Sequence, residues 1–533
     1  MSTSASSDPS FDGEIRVPGV DRVFKPRQIL TVLLVPLAMS LVAVSSVNVA
    51  LTTIGIGLDA TEAQLQWVLS GYALTIGITL VPAGRLGDLF GRGTLFQLGL
   101  VAFTAGSIMS GLAQDPSFLN FARVIQGIGG GLFSPQIMGI IQQTFSGQAR
   151  AKAFGLFGMV VAVSVAVGPV LAGLLITVFG DQDGWRYTFF VNGPLGVLGI
   201  VLGFLWLPFA RERRWLAARK ARKAGEPDPN SILEDGAEGA SDGAASASTP
   251  GEARKRPRRK VDLDPVGAML LALAVLGIMY PFTSREFRWP LVAIFIGAIA
   301  LLFVWWKWES YYTARGNFPM VNLDLLRIPS FSMGTIVAGA YFMGSTTTFA
   351  IVAMYLQMGL EQSAMVAGTI GLPNALISAF AARWASQRAL RIGRPVVQFA
   401  LAMMIVGSLT SLGVVALIAA GKASFWWLLL TLGILGIGQG AFGAANQTLS
   451  LDEVPIQHGG TAGGVKQTAE RIATAIGNSI MTAIYFSLTP ILGFDKAVMV
   501  AFCAIIFAQL IAFGVGHIDM RRAMRARKEG PLN

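Results

Sequence analysis

The sequence is poor in charge, cysteine and histidine. Only 13% of its 533 residues are charged, whereas soluble globular proteins carry about 25%, so a soluble multidomain chain is excluded. One cysteine (Cys503) excludes a disulfide framework, and two histidines without a Cys/His cluster leave no transition-metal site. No GxxxxGK[ST] phosphate-binding loop is present, which disfavours ATP-driven transport. We therefore expect no metal and no cofactor.

Long apolar segments make up most of the chain. A bilayer is crossed by roughly 20 apolar residues in a helix, and such segments recur from residue 29 to residue 517. We count fourteen, at 29–53, 66–83, 95–113, 117–142, 153–178, 188–208, 264–282, 289–308, 331–356, 363–384, 395–419, 424–448, 464–488 and 496–517. The sequence therefore predicts an all-α, polytopic membrane protein.

The positions of the basic residues predict the orientation. Of 41 Lys and Arg, 13 lie between Arg211 and Lys260 and five more follow Met520. Basic residues favour the cytoplasmic side of a membrane, so both termini are predicted to be cytoplasmic, which requires an even number of spans. These runs flank apolar segments, so nucleic-acid binding is not expected. A bacterial-type cytoplasmic membrane is the expected location.

These features divide the chain into seven parts. The segment 209–262 has basic ends and an acidic middle with few apolar residues, which predicts a largely disordered linker. The predicted parts are a cytoplasmic tail (1–28), a six-helix bundle (29–208), a cytoplasmic linker (209–262), two extra transmembrane helices (263–309), a cytoplasmic connection (310–330), a second six-helix bundle (331–517) and a basic cytoplasmic tail (518–533).

Three motifs stand out within or beside the spans. GRLGDLFGRG (84–93) ends the second segment, and its glycines permit close helix approach and a tight turn. FARVIQGIGGGLFSP places Arg123 inside the fourth segment, where a charge costs about 2.5 kcal/mol or more unless it faces a cavity or a partner. The alternative is that Arg123 extends to the outer membrane surface. GLFGMVVAVSVAVGPVLAG (155–173) places a Gly-Pro pair inside the fifth segment.

Together, these motifs resemble those of the major facilitator superfamily and, more narrowly, its fourteen-helix drug/proton antiporter family. VNVAL (47–51), WRYTFFVNGPLG (185–196) and YLQ (355–357) are similar to further hallmarks, so the resemblance covers nearly the whole chain outside the tails and the linker. It implies the major facilitator fold: two six-helix bundles, two extra central helices and alternating access.

The resemblance also implies roles for individual residues. Arg123 is implied to take part in proton coupling. The gating motif comprises Gly84, Asp88, Gly91 and Arg92, and the antiporter motif comprises Gly155, Ser164, Gly168, Pro169 and Gly173. In the gate, Asp88 and Arg92 are implied to latch the inward side against the facing bundle.

The sequence departs from the family pattern at three places. The aspartate usual four residues before VNVAL is Ala43, which puts proton coupling and cationic cargo in doubt. Two usual glycines of the antiporter motif are Ser164 and Ala172, and the usual proline after VNVAL is Thr52. Another acid is therefore needed if transport is proton-coupled.

Glu470 is the acid that we place within a span; Asp264 and Glu309 are expected at segment ends or in loops. A carboxyl group can exchange a proton because desolvation favours its neutral form and a nearby arginine its ionised form. We predict that Glu470 is the coupling acid, with Arg471 adjacent and Arg123 available from the other bundle. The alternative is an ion pair of Lys466, Glu470 and Arg471 at the membrane surface that only fixes the depth of the helix.

Polar groups inside the spans are candidates for a substrate cavity, although any one of them can instead form a bond between helices. The candidates are Asn48, Gln126, Gln357, Asn374, Gln467, Thr474 and Asn478.

The expected function is secondary export of amphipathic or lipophilic compounds, of the multidrug-efflux type, by proton antiport. The alternative is a dedicated exporter or flippase of an endogenous lipid or metabolite with weak or no proton coupling. A membrane enzyme needs clustered catalytic groups, and a channel needs polar rings; neither pattern is present, so we expect no enzyme. The expected partners are a small-molecule or lipid substrate, protons and membrane lipids, with the chain as a monomer.

Overall fold

The computed structural model describes residues 15–16, 23–180, 182–209, 264–283 and 289–529. The predictions for the N-terminal tail and for the linker 209–262 therefore fall mostly outside the described residues. Within them the regular structure is helical, apart from two two-residue strands, Ile15–Arg16 (β1) and Val23–Phe24 (β2), which pair antiparallel. This agrees with the predicted all-α class.

The helices are numbered in chain order. In the first part of the chain they are α1 Pro26–Leu58, α2 Glu62–Phe90, α3 Arg92–Gly111, α4 Pro116–Thr144, α5 Gly147–Phe179, α6 Gly184–Phe190 and α7 Asn192–Trp206. The following pair is α8 Pro265–Thr283 and α9 Trp289–Ala314. The last part contains α10 Pro329–Ser345, α11 Thr347–Met354, α12 Ala364–Thr369, α13 Leu372–Ile392, α14 Pro395–Ala419, α15 Leu428–Ser450 and α16 Gly459–Glu529, with a π-helical turn at Tyr355–Gly359.

Thirteen helical segments in the described residues are long and apolar enough to cross a membrane. The last of them has 70 residues, Ile456–Arg525, which is about 105 Å at the rise of an α-helix and far exceeds a hydrocarbon core of about 30 Å. Gly493 interrupts it with a non-helical backbone (φ 79°, ψ 167°), a left-handed conformation that glycine adopts readily. The break yields two spans, and the total is the predicted fourteen.

Local sequence explains where the helices begin and end. Thr61 and Gln64 form a reciprocal capping box at the start of α2, and Asp115 accepts a hydrogen bond from the backbone N–H of Phe118 at the start of α4. Gly91, between α2 and α3, has φ 113°, which explains a glycine at this tight turn. Helix α16 continues to Glu529, past the predicted end of the span at residue 517.

Helix α8 packs against two other helices, and α9 packs against α8. Leu271, Val275 and Met279 of α8 share an apolar cluster with Leu74 and Val81 of α2 and with partly buried residues of α16. The extra pair therefore lies against the helices that carry the predicted gate and the predicted coupling acid.

Helices α2 and α16 cross in close contact because glycines line the crossing. A Cβ on Gly84 would lie 2.4 Å from the carbonyl oxygen of Gly460, and one on Gly464 would lie 2.5 Å from that of Leu80. Farther along, the Thr468 hydroxyl donates to the Gly77 carbonyl at 3.4 Å. The residue numbers fall on α2 as they rise on α16, so the two helices are antiparallel.

Candidate functional site

Asp88 joins the first part of the chain (α1–α7) to the last part (α10–α16), which we call the two halves of the molecule. Its carboxylate accepts hydrogen bonds from the backbone N–H groups of Gly460 (3.1 Å) and Thr461 (2.8 Å) and from the Thr461 hydroxyl (2.8 Å). Gly460 and Thr461 are the first turn of α16, where free N–H groups and the helix dipole favour a negative charge. A carboxylate from α2 therefore caps a helix of the opposite half.

Arg92 completes this contact. It bonds Asp88 Oδ1 at 2.8 Å and 2.9 Å, and it donates to the Ile456 carbonyl at 2.6 Å and to the Gly139 carbonyl. Both side chains are buried, with Asp88 8% and Arg92 7% exposed. Charge-assisted hydrogen bonds in such a setting are stronger than neutral ones, so the contact holds the two halves together at this end.

Gln142 makes a further link at the same end. Its side-chain amide donates to the Leu451 carbonyl (3.0 Å) and to the Val454 carbonyl (2.9 Å). We call Gly84, Asp88, Arg92 and Gln142, with the segment 451–461 that they contact, the gate contact.

Arg123 lies seven residues after the first residue of α4, about 10 Å along the helix, and is 1% exposed, so its side chain is enclosed by the protein. Its Nε donates to the Val68 carbonyl at 3.0 Å, and one terminal nitrogen donates to Gln126 Oε1 at 2.6 Å. The guanidinium stacks over the Tyr72 ring, 4.1 Å from its centroid. Arg123 is therefore held by α2 and α4 and does not pair with Glu470 in this structure.

Helix α16 carries further charged groups that are buried or half-buried. Lys466 is 1% exposed, and its Nζ donates to Gln447 Oε1 (2.7 Å) and Ser450 Oγ (2.8 Å), both on α15. It is thus bonded inside the protein, and the alternative of a surface ion pair is not what the structure contains. In the residues that the structure describes, Glu470 and Arg471 form no ion pair within 4 Å, although Glu470 interacts electrostatically with Lys466 and Arg471.

Tyr72 lies between the charged groups of the two halves. It is 2% exposed and interacts electrostatically with both Arg123 and Arg471. The antiparallel crossing of α2 and α16 brings it opposite Arg471. Glu470 lies eleven residues into α16, about 16 Å from its start and therefore near the middle of a layer about 30 Å thick. We call Tyr72, Arg123, Lys466, Glu470 and Arg471 the midplane cluster.

The predicted cavity residues are scattered over several environments. Asn48, Gln357 and Asn478 are exposed, Gln467 and Thr474 are half-buried, and Gln126 and Asn374 are buried. Asn374 donates to the Leu432 carbonyl at 2.9 Å, a bond between α13 and α15. Gln467 reaches the opposite half, with Nε2 3.3 Å from Met138 Sδ, and Asn478 accepts from Thr347 at 2.7 Å.

The antiporter motif packs α5 against helices of both halves. A Cβ on Gly168 would lie 1.9 Å from Ser45 Oγ on α1, and one on Gly155 would lie 2.2 Å from Ser386 Oγ on α13. Ser164 is buried, and α5 remains helical through Pro169. A Cβ on Gly173 would meet nothing within 4 Å, so this glycine is not needed for a close approach.

The sequence interpretation was incomplete for two other acids. Asp264 and Glu309, expected at segment ends or in loops, are both 0% exposed, and Glu309 lies within α9. Asp264 accepts from Trp308 Nε1 and from the Gly267 N–H, each at 2.9 Å. Nothing in the pattern of a segment end signalled this burial, because it depends on how the segment after α9 folds back. Tyr72 likewise lacked a sequence signal, since a tyrosine in an apolar helix has no distinctive spacing.

Known proteins match the chain over most of its length. A model described as Major Facilitator Superfamily matches residues 33–284. The chain is 28% identical over 454 residues to a probable actinorhodin transporter of Streptomyces coelicolor, covering 84% of this chain and 71% of that one. It is 26% identical over 466 residues to the multidrug resistance protein Stp of Mycobacterium tuberculosis, covering 86% and 76%.

The fold also matches a solved structure. The human organic anion transporter MFSD10 (TETRAN) superposes with a TM-score of 0.62 at 15% identity, covering 94% of this chain and 100% of that one. At that identity the likeness speaks for the fold alone, and it agrees with two bundles of membrane-spanning helices. With these matches, the chain belongs to the major facilitator superfamily, as a membrane transporter of the drug-efflux type and not an enzyme.

Proposed function

We propose that the protein exports amphipathic or lipophilic compounds from the cytoplasm by alternating access, in exchange for protons, as a monomer in a bacterial cytoplasmic membrane. The bundles 29–208 and 331–517 are the two moving bodies in this proposal. The gate contact lies on the cytoplasmic side, at the end where α1 begins. The names of the two relatives, an actinorhodin transporter and a multidrug resistance protein, support a small-molecule cargo.

The observation that carries the proposal is the cap that Asp88 places on α16. It joins the halves through hydrogen bonds that form and break as a unit, because the carboxylate, Arg92 and the first turn of α16 share partners. Such a contact defines a state with the cytoplasmic side closed. Breaking it exposes the buried N–H groups of α16 to water, which can replace the carboxylate as their partner.

The midplane cluster supports proton coupling. Glu470 is half-buried at mid-depth and has no ion-pair partner within 4 Å in the described residues, which leaves its carboxyl group able to bind and release a proton. Lys466, one turn away, is engaged by Gln447 and Ser450. We propose that Glu470 is protonated from the outer side and releases its proton on the cytoplasmic side as the gate contact opens and closes.

The polar groups between the bundles are the proposed substrate contacts. Gln467 reaches across the bundles towards Met138, and Thr474 and Asn478 continue the same face of α16. Asn48, Gln126 and Gln357 provide further polar groups on α1, α4 and the π-helical turn. Asn374 uses its amide between α13 and α15, so we assign it a weaker role.

One observation favours the second candidate, a dedicated exporter of an endogenous compound with weak or no proton coupling. Ala43 is 1% exposed and belongs to an apolar cluster with Met39, Leu37 and Ile76. The first helix thus offers no carboxyl group at the position where the family usually has one.

Proteoliposomes separate the two candidates. Vesicles loaded with a fluorescent amphipathic dye, either cationic (rhodamine 6G) or anionic (8-anilinonaphthalene-1-sulfonate), are given an inward or outward proton gradient, and saturable flux is measured. Proton antiport predicts that the dye moves faster when protons flow in the opposite direction across the membrane. Saturable flux that ignores the gradient supports the second candidate instead, and no saturable flux with either dye counts against a broad drug exporter.

A further inference from the structure

A groove opens between α1 and α5. It encloses about 480 Å³. Its lining residues are Arg27, Leu30, Thr31, Leu34, Val35, Ala38, Leu156 and Val160. Apart from Arg27 and Thr31 at one end, the lining is apolar, and it contains no carboxylate.

The packing of α1 against α5 differs between their two ends. In their outer halves the contact is intimate, since a Cβ on Gly168 would lie 1.9 Å from Ser45 Oγ and 3.0 Å from the Val42 carbonyl oxygen. In their cytoplasmic halves no such glycine brings the backbones together, and the space between α1 and α5 is left to the side chains of Leu34, Leu156 and Val160.

The length of the groove matches one leaflet of a bilayer. Arg27 and Ala38 are eleven residues apart on α1, which is about 16 Å along a helix. Half of a hydrocarbon core about 30 Å thick is about 15 Å. An acyl chain whose headgroup lies at the cytoplasmic surface would therefore follow the groove for its full length.

Cations surround the end of the groove that lies at the level of the headgroups. Lys25 and Arg27 are exposed at the start of α1. Lys152 is exposed on α5, one turn before Leu156 and on the same face. The contact of Gly168 with Ser45 places α5 beside α1 in a register that brings Lys152 to the level of Ile29. Three cations thus lie where an anionic headgroup would meet the protein, and such cations attract anionic lipids.

We propose that this groove binds one anionic phospholipid of the cytoplasmic leaflet, with an acyl chain between α1 and α5 and the headgroup phosphate held by Arg27 and Lys152. The bound lipid fills the space that the two helices leave open and stabilises their packing. This proposal does not depend on the proposed transport mechanism, because no residue of the gate contact or of the midplane cluster lines the groove.

The test compares phosphatidylglycerol with phosphatidylcholine on the purified full-length protein. The melting temperature is measured during titration with each lipid, and native mass spectrometry counts the bound lipids. Wild type is expected to retain one phosphatidylglycerol and to melt a few degrees higher with it than with phosphatidylcholine, because a ligand that binds only the folded state raises its stability. The double variant Arg27→Gln/Lys152→Gln is expected to lose this difference.

Two further variants make the result specific. Lys307→Gln/Arg388→Gln removes two exposed cations of α9 and α13 and is expected to keep the preference. Ala38→Phe fills the groove without changing charge and is expected to lose the retained lipid.

Equal stabilisation of wild type by both lipids overturns the proposal. The proposal is also overturned if the charge variant loses the preference for phosphatidylglycerol while Ala38→Phe still retains the bound lipid. That result would indicate attraction to the protein surface only. A variant Ala38→Phe that changes dye export but keeps the lipid preference would assign the groove to the substrate and also overturn it.

Discussion

The gate contact and the midplane cluster use similar residues in opposite ways. At the gate, Asp88 accepts from two backbone N–H groups, one hydroxyl and Arg92, and each of these bonds is 3.1 Å or shorter. At the midplane, Glu470 and Arg471 are half-buried without an ion pair within 4 Å in the described residues. Both sites join helices α2 and α16, and they lie about 14 Å apart along α16.

The difference favours separate roles for the two sites. A buried carboxylate whose partners are all present stabilises one arrangement of the two halves. A carboxylate without such partners is free to respond to a proton or a substrate. We infer that the gate determines which state the protein occupies, and that the midplane cluster senses what is bound.

The largest expected effect belongs to Glu470→Gln. If Glu470 carries the proton, the amide cannot exchange it, and dye export driven by a proton gradient is expected to fall by at least a hundredfold. Dye exchange without a gradient is expected to persist, since the amide leaves the shape of the cavity unchanged. The measurement is flux in proteoliposomes with and without the gradient.

Glu361→Gln is the matched control, because Glu361 is an exposed acid of the same half. It is expected to transport as wild type does. Export by Glu470→Gln that still follows the proton gradient would exclude Glu470 as the coupling acid and leave the midplane cluster without a role in coupling.

An intermediate effect is expected from Asp88→Asn. The amide keeps the size of the side chain but loses the charge that faces Arg92 and the start of α16. Hydrogen bonds to a charged group contribute about 1.5–3 kcal/mol, so the closed gate is expected to be about ten- to a hundredfold less populated. The export rate should fall with expression unchanged.

Asp115→Asn provides the comparison, because Asp115 caps its own helix α4 and not a helix of the other half. It is expected to leave export intact. Equal effects of the two substitutions would show that the contribution of Asp88 is local to α2 and not a contact between the bundles.

The smallest of the three effects is expected from Gly84→Ala. The added methyl would meet the carbonyl group of Gly460 at 2.4 Å, so α2 and α16 must move apart. Overpacking of this kind costs about 1–3 kcal/mol, and export is expected to fall by about tenfold.

Gly173→Ala is the control, since the added methyl would meet nothing within 4 Å, and it is expected to be neutral. A neutral Gly84→Ala would show that the gate tolerates looser packing and that its hydrogen bonds alone maintain the closed state.

The sequence by itself determined the class of the protein and the number of its spans. In a bilayer, a long apolar segment forms a helix because the backbone N–H and C=O groups must then bond to one another within the segment. The short motifs led to the correct superfamily. The resemblance of the motif around Asp88 to the family pattern also implied a gate, and this role stays a prediction.

Only the tertiary structure decided the partners of each charge. The cap of Asp88 on α16 joins residues more than 370 positions apart, and no local pattern encodes such a contact. The same holds for Lys466, for which a position at the membrane surface was one of two alternatives and which the fold buries against α15. It also holds for Asp264 and Glu309, which the fold buries together. A charged side chain in an apolar helix is costly wherever it lies, so its presence is visible in the sequence. Which neighbour offsets that cost depends on the crossing of helices that are distant in the chain.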